Sequence, residues 1–173
     1  MRLFRRQGYA ATGVQQVITE AGAPKGSLYH YFPGGKEALA EAAIERAGEL
    51  ILVELRAAAS RTETPHDFLS DYCTTLGRWM REGMFSSGSP ITTILLECTP
   101  QNEAISRAGQ RVHESWIDVI CRVYRDDGFA EADARSKADL ALAAIEGALI
   151  LSRLRQSEAP LAALPSLLAA PRT

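Results

Sequence analysis

Between Gly8 and Glu37 the sequence GYAATGVQQVITEAGAPKGSLYHYFPGGKE places two short helical patterns on either side of Ala21-Gly22-Ala23-Pro24. A chain that must turn so sharply between two short helices folds as a helix-turn-helix, and a long helical pattern starts directly behind it. The second short helix is crowded with polar-tipped groups. A helix presented in this way fits the major groove of DNA, whereas a helix of an ordinary core is not decorated like this.

Residue by residue, this stretch carries what groove reading needs. Lys25 supplies charge, Gly26 lets the backbone approach a strand, and Ser27 can donate or accept. Tyr29, His30 and Tyr31 follow as three polar-tipped rings, and three in succession cannot all enter one core. Leu28 and Phe32 are expected to face back inward. Lys36 and the amides around it suit a phosphate. Thr12, Gln15 and Gln16 sit where the first helix would meet the opposite backbone, with Thr12 as its N-cap and residues 13–21 as its extent.

Charge divides along the chain in the same sense. The formal net charge is −2, yet residues 1–37 carry +3 and the remainder −5. A basic head on an acidic body points to an anionic partner for the head alone. Chance asymmetry is the plain alternative.

Helix is the periodicity of the rest of the chain. Met1 to Gln7 reads as the last turns of a helix stopped by Gly8, and Pro24 to Tyr31 as the second short helix. Further helices are expected over 36–59, 65–82, 91–97, 102–125 and 131–155, with Met84 to Pro90 as a loop. The pattern over 131–155 is apolar on two sides: Leu140, Ala144, Gly147, Leu151 and Leu154 form one stripe, and Leu142, Ile145 and Leu149 another. Such a helix is buried on two sides. One side can face its own core and the other a second subunit, with Leu161, Leu164 and Leu168 of the tail joining in. A central helix of a monomer fits the same pattern. Pro165 argues against one unbroken tail helix.

A small-molecule pocket needs apolar and aromatic walls with a few polar groups. Phe68, Tyr72, Trp79, Met84, Phe85, Cys98, Trp116 and Ile120 are the candidate walls, with Glu97 and His113 as polar groups; each also reads as plain core. Their character favours a lipophilic compound. Cys73, Cys98 and Cys121 are widely spaced and lie in apolar surroundings, so they read as small hydrophobes in a reducing, cytoplasmic setting. No metal-ligand spacing, P-loop, GxSxG or dinucleotide fingerprint is present, so neither a metal nor a cofactor is expected. Cys98 with His113 is the one imaginable catalytic pair, and no feature brings them together. No apolar run approaches the ~18 residues that span a bilayer.

Gly8, Tyr9, Thr12, Ala21, Gly22, Lys25, Gly26, Leu28, Tyr29, Tyr31, Phe32, Lys36, Glu37 and Leu39 occur in the order and spacing that resemble the head of the TetR family of one-component transcriptional repressors. The Pro33-Gly34-Gly35-Lys36 corner, Ser87-Gly88-Ser89-Pro90-Ile91 and Glu146-Gly147-Ala148 resemble the LmrA/YxaF-type branch. The resemblance implies an all-α homodimer whose helix-turn-helix heads (residues 1–37) read a palindromic double-stranded DNA operator. It implies a larger helical domain (38–173) that dimerises through its last helices and binds a small effector that releases DNA. DNA contact is carried over to Thr12, Lys25, Gly26, Ser27, Tyr29, His30, Tyr31 and Lys36. Two positions depart from the family pattern. Met1 falls within the first helix, so either the true start lies upstream or about half of that helix is missing. Pro24 stands where a capping Ser is common, a loss of ~1 kcal/mol. The expected function is a ligand-responsive repressor and not an enzyme. The alternative is a dimeric helical ligand-binding protein whose DNA binding the shortened start has impaired.

Overall fold

The structure is a computed structural model that describes residues 2–24, 26–86, 89 and 91–168. Among these, helix is the only regular structure: α1 (Arg2–Gln7), α2 (Val14–Glu20), α3 (Ser27–Tyr31), α4 (Gly35–Arg61), α5 (Pro65–Glu82), α6 (Thr92–Cys98), α7 (Glu103–Asp126), α8 (Glu131–Arg155), α9 (Ala159–Ala162) and α10 (Leu164–Leu168). The all-α architecture with an N-terminal helix-turn-helix is as expected.

Two compact units form, Met1–Glu49 with Ser89–Val112, and Leu50–Gly88 with His113–Thr173. Compactness therefore divides the chain elsewhere than at residue 37. The head shares its unit with the first half of α4, with α6 and with the start of α7, which lie far away in sequence.

In the first unit the head is tied down at each helix end. Leu3 and Phe4 of α1 are buried, and the Gly8 N–H returns to the Phe4 carbonyl at 3.0 Å. α2 closes in a Schellman motif: Ala23 N–H reaches the Ile18 carbonyl and Gly22 N–H the Thr19 carbonyl, both at 3.1 Å. Gly22 has φ +61°, a left-handed conformation that costs glycine little. α3 begins later than the pattern from Pro24 implies. The Ser27 N–H and hydroxyl both return to the Pro24 carbonyl, at 3.0 and 2.7 Å, so Pro24 belongs to the turn before the helix.

Further residues of this unit are buried on α4, α6 and α7. Ala40, Ile44 and Ala47 on α4 are buried, as are Ile94 of α6 and Ile105 and Ala108 of α7. A polar ladder runs along the α4–α7 seam. Asn102 caps α7 by accepting the Ile105 N–H at 2.9 Å while its amide donates to Glu37. Nine residues on, Arg111 reaches Glu45 at 2.7 Å and Glu41 at 3.4 Å.

The second unit is built around α5, whose N-cap Thr64 accepts the Asp67 N–H at 3.1 Å ahead of Pro65 at the first helical position. Phe68, Leu69, Tyr72, Cys73, Leu76 and Met80 of α5 are buried. Trp116, Ile120 and Tyr124 of α7 and Ala138, Ala141, Leu142 and Ile145 of α8 are buried as well. Arg135 of α8 fixes the α7–α8 pair through Glu114 at 2.6 Å and Asp118 at 3.3 Å. After Gln156 reverses the chain, α9 and α10 pack against α5 and α8, and Glu158 pairs with Arg81 at 2.8 Å. The tail is two short helices, in keeping with Pro165.

Candidate nucleic-acid interface

α3 carries the exposed surface of the head. Leu28 is buried, whereas Tyr29, His30 and Tyr31 are all exposed, the two phenols at 57% and 73%. His30 meets Tyr31 edge-on with ring centres 5.0 Å apart, so the rings stiffen one another without being buried. Gly26 and Ser27 precede them at the surface. A Cβ added at Gly26 would meet nothing within 4 Å, so no intramolecular contact requires a glycine there. Lys25 lies outside the described residues.

On α2, Gln15 and Gln16 are exposed, and Gln16 exchanges side-chain hydrogen bonds with Gln7 of α1 at 2.8 and 3.3 Å. Thr12 requires a correction. It is 1% exposed, and its hydroxyl donates to the Gly8 carbonyl at 2.6 Å. The cap of α2 is Gly13, in extended conformation and with no side-chain bond. Thr12 therefore holds the α1–α2 turn from inside and presents nothing to a strand. Burial satisfies its one hydroxyl locally, which a sequence window does not show.

Lys36, in the opening turn of α4, is half-buried. Its ammonium donates to the Ala10 carbonyl at 3.2 Å and lies 4.4 Å from the centre of the Tyr9 ring. Burial first, and then the neighbouring Cys98 and Glu37, hold the Tyr9 phenol above its ordinary range. Glu97 of α6 completes this corner by accepting the N–H groups of Tyr9 and Ala10. In the sequence pattern Glu97 groups with the pocket walls, and Gly8, Tyr9 and Ala10 have no partner. No local signal links residues 88 positions apart.

Residues 1–43 match the family described as bacterial regulatory proteins, tetR family, and residues 65–165 match the transcriptional regulator LmrA/YxaF-like C-terminal domain. The chain is 32% identical over 160 residues to the uncharacterized HTH-type transcriptional regulator YxaF of Bacillus subtilis, covering 92% of this chain and 84% of YxaF. The chain belongs to the TetR family.

Another relative of this TetR-family regulator is the HTH-type transcriptional regulator LmrA of Bacillus subtilis, 32% identical with 92% of this chain and 85% of LmrA covered. Its fold is that of the regulatory protein TetR from Rhodobacter sphaeroides, with a TM-score of 0.85 at 22% identity, over 97% of this chain and 92% of that one. A TetR transcriptional regulator from Chloroflexus aurantiacus aligns with a TM-score of 0.77 at 26% identity, over 96% and 86% of the two chains. The protein is a transcriptional regulator and not an enzyme.

The regulator's expected pocket residues are spread over both units. Glu97 and the buried Cys98 lie in the unit of the head. The other eight lie in the second unit, and they differ in exposure. Phe68, Tyr72, Trp116 and Ile120 are buried, Phe85 and His113 half-buried, and Trp79 and Met84 exposed. Phe68 stacks on Tyr72 with centres 6.3 Å apart, and His113 lies against Trp116 at 5.0 Å. Burial pushes the Tyr72 phenol far above its usual range, with Glu146 adding to the effect. A groove of about 490 Å³ in the same unit runs between the second halves of α4 and α7, lined by polar residues that include Arg56, Ser60, Asp118 and Arg122. None of the expected pocket residues lines it.

The two apolar faces of α8 differ in burial. Leu142, Ile145 and Leu149 are buried, while Leu140 and Leu154 are 59% and 77% exposed and Leu151 is also exposed. Ala144 and Gly147 are half-buried between them, and a Cβ at Gly147 would meet nothing within 4 Å. Leu161 is a second correction. It is fully buried in the regulator's own core, where α9 meets α5 and α8, so it is no part of an outer face. Leu164 and Leu168 are half-buried.

Proposed function

We propose that this regulator is a ligand-responsive repressor that binds a palindromic operator as a homodimer. The observation that carries the reading is the row of Tyr29, His30 and Tyr31 exposed on α3 of a TetR-family head. Polar-tipped rings cost little entropy to order, and their hydroxyl and imidazole groups can meet phosphates and base edges. The open surroundings of Gly26 suit close approach of a strand. Gln15 on α2 offers a polar contact to the opposite backbone.

The homodimer reading rests on the outer face of α8. Leu140, Leu151 and Leu154 form an apolar stripe that the described chain leaves exposed, with small residues at Ala144 and Gly147 between them. A second copy covers this stripe in a symmetric, self-complementary contact and places two heads on successive half-sites about one helical turn apart. The effector is proposed to be lipophilic, on the strength of the buried rings of Phe68, Tyr72 and Trp116 and of Trp79 and Met84 at the surface. Its site of action is the cytoplasm, where the operator lies; no helix of the described residues is long and apolar enough to cross a membrane.

A gel shift with the DNA upstream of the regulator's own reading frame tests the proposal. Retardation that specific competitor removes and non-specific DNA does not is expected. Retardation that any DNA removes equally contradicts the repressor reading.

A further inference from the structure

The turn between α1 and α2 holds a carboxylate delivered from a distant part of the chain. Gly8 has φ +83°, and the amides that follow it, those of Tyr9 and Ala10, converge on one point. Successive backbone N–H groups around a left-handed residue form a nest for an anion. Glu97 of α6 occupies it: Oε1 accepts the Tyr9 N–H at 3.1 Å and Oε2 the Ala10 N–H at 2.6 Å. A Cβ on Gly8 would collide with the Glu97 carboxylate where it now sits, so both the left-handed backbone and the seated carboxylate favour glycine. The same turn is held from other sides by Lys36 on the Ala10 carbonyl and by Thr12 on the Gly8 carbonyl.

We propose that Glu97 is a positioning residue for DNA binding, a clamp through which α6 sets the affinity of the head without a DNA contact of its own. The proposal rests on the DNA-binding reading above. Bonds from neutral amides to an ionised carboxylate are stronger than bonds between neutral groups. When the carboxylate leaves, two N–H groups lose their partner and the turn that launches α2 is free to take other conformations. DNA then binds only the fraction of heads still in the competent arrangement, and affinity falls by that fraction. Any event that moves α6 by the length of a hydrogen bond opens the clamp.

The test uses the full chain and its upstream DNA, in anisotropy titrations at several salt concentrations, for wild type, Glu97→Ala, Glu97→Gln, Gly8→Ala and the Gly8→Ala/Glu97→Ala double variant. Amide hydrogen exchange is followed alongside by NMR. Glu97→Ala is expected to weaken binding about ten-fold or more with the slope of log K against log salt unchanged, because no phosphate contact is lost. Exchange at Tyr9 and Ala10 accelerates while amides of α8 keep their protection, which shows that the variant is folded. Glu97→Gln, which keeps one acceptor, is expected to fall between the two. The double variant is less impaired than the sum of the single ones, because both act on one clamp. Binding by Glu97→Ala at wild-type strength, a reduced salt slope, or additive effects overturn the proposal. A wild-type chain that binds no DNA overturns the DNA-binding reading itself, and unchanged exchange at Tyr9 and Ala10 in Glu97→Ala overturns the clamp independently.

Discussion

Lys36 holds its ammonium 4.4 Å from the centre of the Tyr9 ring and donates to the adjoining Ala10 carbonyl, so the opening turn of α4 is bound to the corner between α1 and α2. The contact stands at the edge of the head, where one cation can serve both the fold and a phosphate. Only one of its three N–H donors is spent on Ala10.

Replacing Lys36 by Met therefore has two expected effects. Loss of the ring contact and the hydrogen bond costs about 1 kcal/mol, a fall of roughly 2–4 °C in Tm. The salt dependence of DNA binding falls by about one phosphate's worth, a slope change of roughly 0.9. Thermal melting and a salt series of binding titrations read the two separately. An unchanged slope would confine Lys36 to the fold.

Thr12→Val gives the opposite pattern. The variant keeps the shape but leaves the buried Gly8 carbonyl without its 2.6 Å donor, a cost of about 1–3 kcal/mol. Urea unfolding is expected to show that loss, while the salt slope stays at its wild-type value. A lower slope would return Thr12 to the DNA surface.

The outer stripe and the inner core of the second unit separate by substitution. Leu151→Arg on the exposed face of α8 is expected to yield monomers in sedimentation with little change in monomer folding. Leu161→Ala, in the core, is expected to cost about 2–5 kcal/mol of stability and to leave the dimer intact once folded. A dimeric Leu151→Arg would contradict the α8 interface.

Alkaline pH tests the interior. Burial pushes the Cys73 thiol up to about 12 from 9.0. Between those values the native state keeps a proton that the unfolded chain has lost, so stability is full below pH 9 and falls as pH rises towards 12. Cys98 and Cys121, also raised chiefly by burial, act in the same direction. Cys73→Ala is expected to flatten part of the decline in urea unfolding midpoints over this range. An unchanged profile would show that Cys73 is not the source.

What the sequence disclosed follows from how far each cause reaches along the chain. The Gly22 turn, the Pro65 start of α5 and the two faces of α8 are local, set by backbone preference or by a repeat within a single helix, and they were legible. So was the surface of α3, because Tyr29, His30 and Tyr31 cannot share one core. Thr12 was misread as a cap because the hydroxyl has two partners in reach, and only the path of the Gly8 turn decides between them. Leu161 was misread because periodicity says that a residue is buried but not by which chain. Glu97 on the Tyr9 and Ala10 amides had no signal at all, since that contact exists only after α6 has packed beside the head.

Whether the exposed face of α3 reads an operator is decided by binding titrations of wild type and a Tyr29→Ala variant against the upstream DNA and a scrambled duplex. Wild type is expected to prefer the upstream DNA by at least about a thousand-fold, with two chains bound per duplex, and Tyr29→Ala to lose much of this preference while its salt slope changes little. Equal binding of both duplexes by wild type, or a preference that survives Tyr29→Ala intact, would contradict it.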